Sequence, residues 1–184
     1  FKNANVFSKK INIVWGGGEP TLMDDFDSIF KNFTNALNPK NNKIYSNATK
    51  YSKTIEKYLK TGKASLTTSI DAGTKKTFKK IRGVKTFEKV LNNLKKYLKA
   101  AKKSVVIKYI LTKDNYQLNE ITSFVKEIKK YELQHCDFQI SSDFKDEELT
   151  NDQTVNAIKL YTALIEAGAN TCCFDDHLKP RLKN

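Results

Sequence analysis

Short apolar runs alternate with helical patterns along this chain. The apolar runs predict strands at residues 11–16, 43–47, 65–71, 104–111, 135–141 and 170–174. Apolar residues at helical spacing fill the intervals, near residues 22–37, 50–61, 74–82, 86–102, 117–131 and 151–167. Regular alternation of strand and helix predicts an α/β fold with a parallel sheet and right-handed crossovers.

Polar residues recur on one face of the predicted sheet. Side chains along a strand point alternately to its two faces, and one face of the third strand carries Thr67, Ser69 and Asp71. Lys108 and Gln139 interrupt the fourth and fifth strands in the same way. A doubly wound sheet, covered by helices on both faces, should be almost wholly apolar. We therefore predict a partial TIM-like (β/α)6 barrel arc, whose polar inner face binds a ligand at the carboxyl ends of the strands.

Length and composition limit the class of protein. We expect a single domain over residues 1–184, and a fragment of a longer protein because the only methionine, Met23, lies inside a predicted helix. No apolar run approaches the ~20 residues that span a bilayer, and no signal peptide is evident. Three cysteines without a disulfide pattern fit a reducing compartment. These features predict a cytoplasmic protein without a membrane partner.

The net charge of +13 raises the alternative of a basic binding module for RNA or an acidic partner. The positive residues are nearly all lysines dispersed over several predicted helices, and Arg82 and Arg181 are the only arginines. Arginine is the residue that binds base edges with two hydrogen bonds. We therefore expect a solvated lysine-rich surface, and nucleic acid is not the expected partner.

The stretch INIVWGGGEPTL places three of the seven glycines directly after the first strand, followed by Glu19, Pro20 and Thr21 as a possible helix cap. Glycines at a strand end permit positive φ and close approach of a ligand to the main chain. A phosphate site is disfavoured because Glu19 is an anion and no Walker or GxGxxG pattern follows. A carboxylate beside exposed carbonyl oxygens suits a cation such as an ammonium group, and a tight turn without a ligand is the alternative.

Four motifs in order carry a family resemblance: GGEP at Gly17–Pro20, SNATKYS after the second strand, TTSIDAGTKKTFKKIRGV after the third, and VVIKYILTKDNYQLNEI on the fourth. This series resembles the radical S-adenosylmethionine (SAM) superfamily. Within the superfamily it resembles pyruvate formate-lyase activating enzyme-like and peptide- or sugar-modifying members.

The resemblance implies an enzyme, an oxidoreductase-type chemistry and two cofactors. In that family a [4Fe-4S] cluster held by a CxxxCxxC loop binds SAM, and reductive cleavage gives a 5'-deoxyadenosyl radical that abstracts hydrogen from substrate. The resemblance also implies an external electron donor. It leaves the substrate (protein, peptide, sugar or small molecule) and the catalytic residues unknown.

The chain itself contains no CxxxCxxC, and we expect its cysteines, Cys136, Cys172 and Cys173, to be packing residues rather than cluster ligands. The strand at 11–16 resembles the family's second strand. The first strand and the cluster loop are therefore expected to belong upstream of this sequence.

The resemblance assigns SAM-binding roles to residues at the strand ends. The main chain at Gly17, Gly18 and Glu19, before Pro20, would accept hydrogen bonds from the SAM ammonium, with the Glu19 side chain assisting or bracing the turn. Ser69, Asp71 and Asn47 would contact ribose hydroxyls, and Arg82 or Lys108 would pair with the SAM carboxylate. Ile110 and Leu111 would contact adenine, and Gln139 and Ser141 would face the ring or the substrate.

Two further possibilities remain open from the residues alone. Lys108 among aliphatic neighbours would suit a different barrel enzyme that uses a buried amine. Asp175, Asp176 and His177 together look like metal ligands, but an acidic cluster with one histidine at a strand end predicts a solvated turn, and no metal site is expected.

Overall fold

The computed structural model describes residues 11–101, 105–143 and 149–182, which form six strands and six α-helices in strict alternation apart from a helix pair between the third and fourth strands. The strands are β1 (Asn12–Trp15), β2 (Asn41–Tyr45), β3 (Ala64–Ser69), β4 (Val105–Leu111), β5 (Asp137–Ser142) and β6 (Thr171–Phe174). The helices are α1 (Phe26–Leu37), α2 (Lys53–Lys60), α3 (Lys75–Arg82), α4 (Phe87–Ala100), α5 (Leu118–Lys130) and α6 (Asn151–Glu166).

All six strands form one parallel sheet in the order β1-β2-β3-β4-β5-β6, and within the described residues it does not close on itself. This confirms the predicted α/β fold with a barrel-like arc. Residue 104, at the start of the predicted fourth strand, lies outside the described residues.

The two faces of the sheet differ as the alternation predicted. Residues such as Ile44, Leu66, Ile107 and Phe138 point to the helices and are at most 2% exposed. The opposite face, here called the inner face, carries Ser69 and its neighbours in the register, and these side chains are partly exposed. Burial of the aliphatic and aromatic face against the helices supplies the core, and it leaves the polar inner face open to solvent.

The second strand begins two residues earlier than predicted because a buried asparagine behaves as a strand residue. The Asn42 side chain is fully buried, accepting a hydrogen bond from Trp15 Nε1 (3.0 Å) and donating one to the Lys63 carbonyl (3.1 Å). A polar residue with its hydrogen bonds satisfied is tolerated in the core. Asn47 consequently lies beyond the end of β2.

The predicted helix cap at Thr21 is wrong. Pro20–Leu22 forms a separate 3-10 turn whose N-cap is Glu19, and α1 begins only at Phe26. Within the described ranges, no helix is both long enough and apolar enough to cross a membrane.

Candidate functional site

The Glu19 carboxylate joins the carboxyl end of β1 to that of β2. Its Oε1 accepts hydrogen bonds from the Thr21 amide (3.1 Å), the Thr21 hydroxyl (2.6 Å) and the Ser46 hydroxyl (2.9 Å), while Oε2 accepts the Asn47 amide. Hydrogen bonds to a carboxylate are stronger than those between neutral groups. The Glu19 side chain was predicted either to assist in binding the SAM ammonium or to brace the turn. These contacts fit the second role. Nothing in the sequence singled out Ser46 as its partner.

The glycines before Glu19 adopt a conformation that other residues rarely take. Gly17 has φ +85° and Gly18 has φ +152°, and a Cβ at either position would have no atom of the described residues within 4 Å. The main chain is therefore bare on the side facing solvent. Glycine at these positions keeps the polar backbone atoms accessible to a ligand.

A cavity of about 810 Å³ opens beside these glycines at the carboxyl ends of the first three strands. Its lining includes Gly18, Glu19, Asn47, Ser69 and Arg82. Its wall also contains Thr67 of the predicted polar face, and three residues that we did not predict: Ser46, Lys50 and Lys89. A concave site of this size with few polar groups at strand ends is the usual setting of a small-molecule site in an α/β protein.

Arg82 and Asp71 form an ion pair at the edge of this cavity. The Asp71 side chain is 3% exposed and the Arg82 side chain 33% exposed, so the guanidinium reaches from the carboxylate toward solvent. The other Asp71 oxygen accepts the Ile110 amide at 2.7 Å. Both carboxylate oxygens are thus engaged within the protein, which does not agree with the expectation that Asp71 offers an acceptor to ribose.

Asp71 is also held in an unusual backbone conformation. Its φ is +54°, in the left-handed region that non-glycine residues seldom occupy. The Asn115 side chain stabilises it by donating to the Asp71 carbonyl (2.9 Å) and to the Ile110 carbonyl (2.8 Å). Burial raises the pKa of Asp71 to about 6, although Arg82, the Ile110 amide and Lys108 act in the opposite direction. Strain of this kind concentrates at functional sites.

Lys108 lies on the inner face one strand away from the cavity. Its Nζ forms an ion pair with Asp175 Oδ2 at 3.4 Å, and the two side chains are 20% and 10% exposed. Its neighbour in the register on β5 is Gln139, also half-buried. Asp175 was expected to lie in a solvated turn, and for this residue that expectation is wrong because its side chain is buried against Lys108 of β4. No metal-binding group of His, Cys, Asp and Glu occurs among the described residues.

Five of the thirteen predicted SAM-site residues line the cavity, and eight do not. Those outside the lining are Gly17, Pro20, Asp71, Lys108, Ile110, Leu111, Gln139 and Ser141. Pro20 is buried as the first residue of the 3-10 turn. Asp71 accepts the Ile110 amide beside the cavity, and Lys108 and Gln139 lie farther along the inner face. The adenine role predicted for Leu111 is wrong because its side chain is fully buried on the helix side of β4.

The three cysteines do not form a cluster site. Cys136 is buried in the core, Cys172 packs against the core, and Cys173 is exposed on the opposite face of β6. Burial raises the pKa of Cys172 to about 12 and raises that of Cys136 further, which disfavours the thiolate that an iron ligand requires. The expectation of a packing role is confirmed for Cys136 and Cys172, and it is wrong for the exposed Cys173.

Comparison with characterised proteins gives relatives of one enzyme class. The chain is 28% identical over 131 residues to GTP 3',8-cyclase of Haemophilus influenzae, an alignment that covers 71% of this chain and 38% of the relative. It is 22% identical over 165 residues to GTP 3',8-cyclase of Vibrio parahaemolyticus, covering 90% of this chain and 48% of the relative. The chain therefore spans less than half the length of either relative.

Two solved structures share the fold. SuiB of Streptococcus suis, bound to S-adenosylmethionine, superposes with a TM-score of 0.63 at 20% identity, covering 89% of this chain and 37% of that one. A radical SAM methyltransferase from Sphaerobacter thermophilus gives 0.62 at 12% identity, covering 93% and 53%. The family model of the radical SAM superfamily matches residues 1–131. Because this match extends over well more than half of the sequence, the chain belongs to the radical SAM superfamily.

Proposed function

We propose that this chain is the SAM-binding core of a radical SAM enzyme that acts on a substrate still to be identified. The observation that carries the proposal is the cavity at the ends of β1, β2 and β3, where exposed glycine backbone, the Glu19 brace and Arg82 meet. Membership of the family supports this function over a non-enzymatic basic binding module. SAM, when bound and reduced by one electron, supplies a 5'-deoxyadenosyl radical for hydrogen abstraction.

The main chain of the first loop binds the SAM ammonium in this proposal. The Glu19 carbonyl already accepts the Leu22 amide at 3.2 Å. An ammonium group donates three hydrogen bonds, and the carbonyl oxygens of Gly17 and Gly18 are the acceptors that an absent Cβ leaves uncovered. The Glu19 side chain holds these carbonyls in place through Thr21 and Ser46 rather than contacting SAM itself. Pro20 fixes the 3-10 turn that follows.

Arg82 binds the SAM carboxylate, and Asp71 positions Arg82. A guanidinium presents several N–H donors in a planar fork, so it binds one carboxylate without releasing the other. Arg82 lines the cavity, whereas Asp71 lies behind it. The sequence analysis left Arg82 and Lys108 as alternatives for the SAM carboxylate, and this proposal assigns Arg82.

The ribose lies against Asn47 and Ser69 in this arrangement. Asn47 Oδ1 accepts hydrogen bonds from the amide and hydroxyl of Thr49 at 2.9 and 2.7 Å, which directs its side-chain amide group toward a ligand. Ser69 offers a hydroxyl that both donates and accepts. The partly exposed face of Ile110 supplies apolar contact for adenine on the β4 side.

The family implies a [4Fe-4S] cluster as well as SAM, and this chain's three cysteines do not fit one. In this proposal the described residues bind and orient SAM, and they hold no cluster.

Binding of SAM to the chain tests the proposal directly. Isothermal titration calorimetry should give saturable binding with one site per chain. Replacing Gly18 with valine should abolish it, because the side chain enters the cavity and φ is unfavourable. Gly16→Ala is the matched control, since its Cβ would make an ordinary 3.5 Å contact with Tyr45. Absence of binding by the folded wild-type chain, or equal binding by Gly18→Val, would contradict the proposal.

A further inference from the structure

We propose that the substrate binds over β4, β5 and β6 and places an acceptor oxygen of a carboxylate or carbonyl group on Lys108. This inference rests on the proposed function, because it takes SAM to occupy the cavity beside β1, β2 and β3. It adds a contact on the substrate that neither the family match nor the relatives assign.

The register of the sheet defines where a substrate can meet SAM. Ser69, Lys108, Gln139 and Cys173 are direct neighbours across β3, β4, β5 and β6. Ser69 lines the cavity, and the other three do not. Adjacent strands lie about 4.8 Å apart, so Lys108 is the first side chain beyond the cavity on this face. Helices cover the other face of the sheet. A substrate that contacts bound SAM therefore lies on this row of side chains.

The Lys108 ammonium is incompletely hydrogen-bonded for its degree of burial. Its side chain is only 20% exposed, and its one ion pair within the described residues is the 3.4 Å contact with Asp175. An ammonium has three N–H donors, and a buried charge is costly unless its hydrogen bonds are made. Donors therefore remain for a group that arrives on the inner face.

Asp175 cannot supply the missing acceptors, because its own oxygens are already engaged. Oδ1 accepts the amides of His177 (3.2 Å) and Leu178 (2.9 Å), and Oδ2 pairs with Lys108. These contacts anchor the turn after β6 and fix Asp175 beside Lys108. Asp175 is thus a positioning residue, and Lys108 is the residue that contacts the ligand.

The nearby carboxylate Asp71 is likewise engaged, since it holds Arg82 and the Ile110 amide. Arg82 lines the cavity and suffices for the SAM carboxylate, so the second cation is left for the substrate. A ligand oxygen restores the hydrogen bonds that Lys108 lacks, and both carboxylate and carbonyl oxygens have that chemistry.

Nuclear magnetic resonance of the chain labelled with 13C at the lysine Cε tests this contact. The probes are N-acetylglycine, which has a carboxylate, and N-acetylglycinamide, which has only carbonyl oxygens, each titrated with SAM present. The Lys108 signal is identified by its loss in Lys108→Met. We expect this signal to shift saturably with probe concentration. An affinity tenfold higher for N-acetylglycine than for N-acetylglycinamide identifies a carboxylate as the ligand group. Equal shifts with the two probes identify a carbonyl.

SAM affinity provides the control that separates this inference from the proposed function. Lys108→Met should bind SAM within twofold of the wild type, as should Lys126→Met, which changes an exposed lysine of α5 outside the cavity. A Lys108 signal that neither probe moves while SAM binds normally overturns the inference alone. A tenfold loss of SAM affinity in a folded Lys108→Met or Lys108→Arg variant also overturns it, because Lys108 would then contact SAM. No SAM binding by the wild type overturns the proposed function and this inference with it.

Discussion

Arg82 reaches the cavity from an ion pair with Asp71, a carboxylate that is almost completely buried. The pair gives Arg82 a fixed position without consuming all of its donors. Replacing Arg82 with glutamine should therefore keep a hydrogen-bond donor for Asp71 while removing the charge that binds the SAM carboxylate. Loss of one charge-assisted hydrogen bond, about 1.5–3 kcal/mol, corresponds to a fall in SAM affinity of roughly tenfold or more.

Lys80→Gln is the matched control for this experiment, because Lys80 is on the same helix but pairs with Asp114 outside the cavity. Its SAM affinity should equal that of the wild type in the same calorimetric titration. Equal affinities of Arg82→Gln and wild type would remove Arg82 from the binding site.

The raised pKa of Asp71 predicts that the free energy of unfolding depends on pH. Its folded pKa of about 6 lies above the ordinary value of 3.8, so the folded chain holds this proton more tightly than the unfolded chain does. The stabilisation is present below pH 3.8 and is lost as pH rises through about 6. At about 1.4 kcal/mol per pKa unit, the loss amounts to about 3 kcal/mol.

Asp71→Asn cannot titrate and isolates this contribution. Urea unfolding of both proteins between pH 4 and 7.5 should show the stability of the wild type falling relative to the variant as pH rises. A difference that stays constant with pH would show that Arg82 and the Ile110 amide outweigh burial, and that Asp71 remains ionised throughout.

Glu19 should matter for stability and for SAM binding through the same contacts. Glu19→Ala removes the acceptor of four donor groups: the Thr21 amide, the Thr21 hydroxyl, the Ser46 hydroxyl and the Asn47 amide. We expect about 2–3 kcal/mol less stability in urea unfolding and at least tenfold weaker SAM binding, because the loop carbonyls lose their fixed position. Glu88→Ala, which removes an exposed ion pair with Lys75, should change neither. If Glu19→Ala binds SAM as tightly as the wild type, the hydrogen bonds of Glu19 do not contribute to SAM binding.

Much of the fold was predictable because hydrophobic periodicity is a local signal. The parallel arc, its polar inner face and the places of Ser69 and Lys108 on that face all follow from alternation along single strands. The strand that shifted, β2, did so because Asn42 is buried among partners distant in the sequence, which no local pattern reports.

The wall of the cavity was predictable in part, and its side-chain contacts were less so. Glycines before Glu19 and the spacing of Asp71 and Arg82 locate the cavity wall, but the sequence does not show that Asp71 faces Arg82 rather than a ligand. Asp175 was missed as a partner of Lys108 because it follows β6, whereas Lys108 is on β4, and β5 lies between these two strands. Side-chain pairing between distant segments is a property of the tertiary structure.

The loop after Asp71 packs closely against α5 at Gly73. A Cβ at this position would overlap the Glu120 carbonyl oxygen and the Phe124 amide, and would lie 2.9 Å from Ser123 Cβ. Backbone atoms of α5 cannot yield as the end of a side chain can. The loop after Asp71 would have to move away, breaking the hydrogen bonds from the Gly73 and Thr74 amides to the Glu120 carboxylate (2.7 and 2.9 Å).

We therefore expect Gly73→Ala to lower the free energy of unfolding by roughly 3 kcal/mol or more, from overpacking together with lost hydrogen bonds to a buried carboxylate. Gly16→Ala, with its ordinary 3.5 Å contact to Tyr45, should be affected far less in the same urea titration. Because the displaced loop carries Asp71, and through it Arg82, the folded fraction of Gly73→Ala should also bind SAM more weakly. If Gly73→Ala unfolds at the wild-type urea concentration, the close contact between this loop and α5 does not exist.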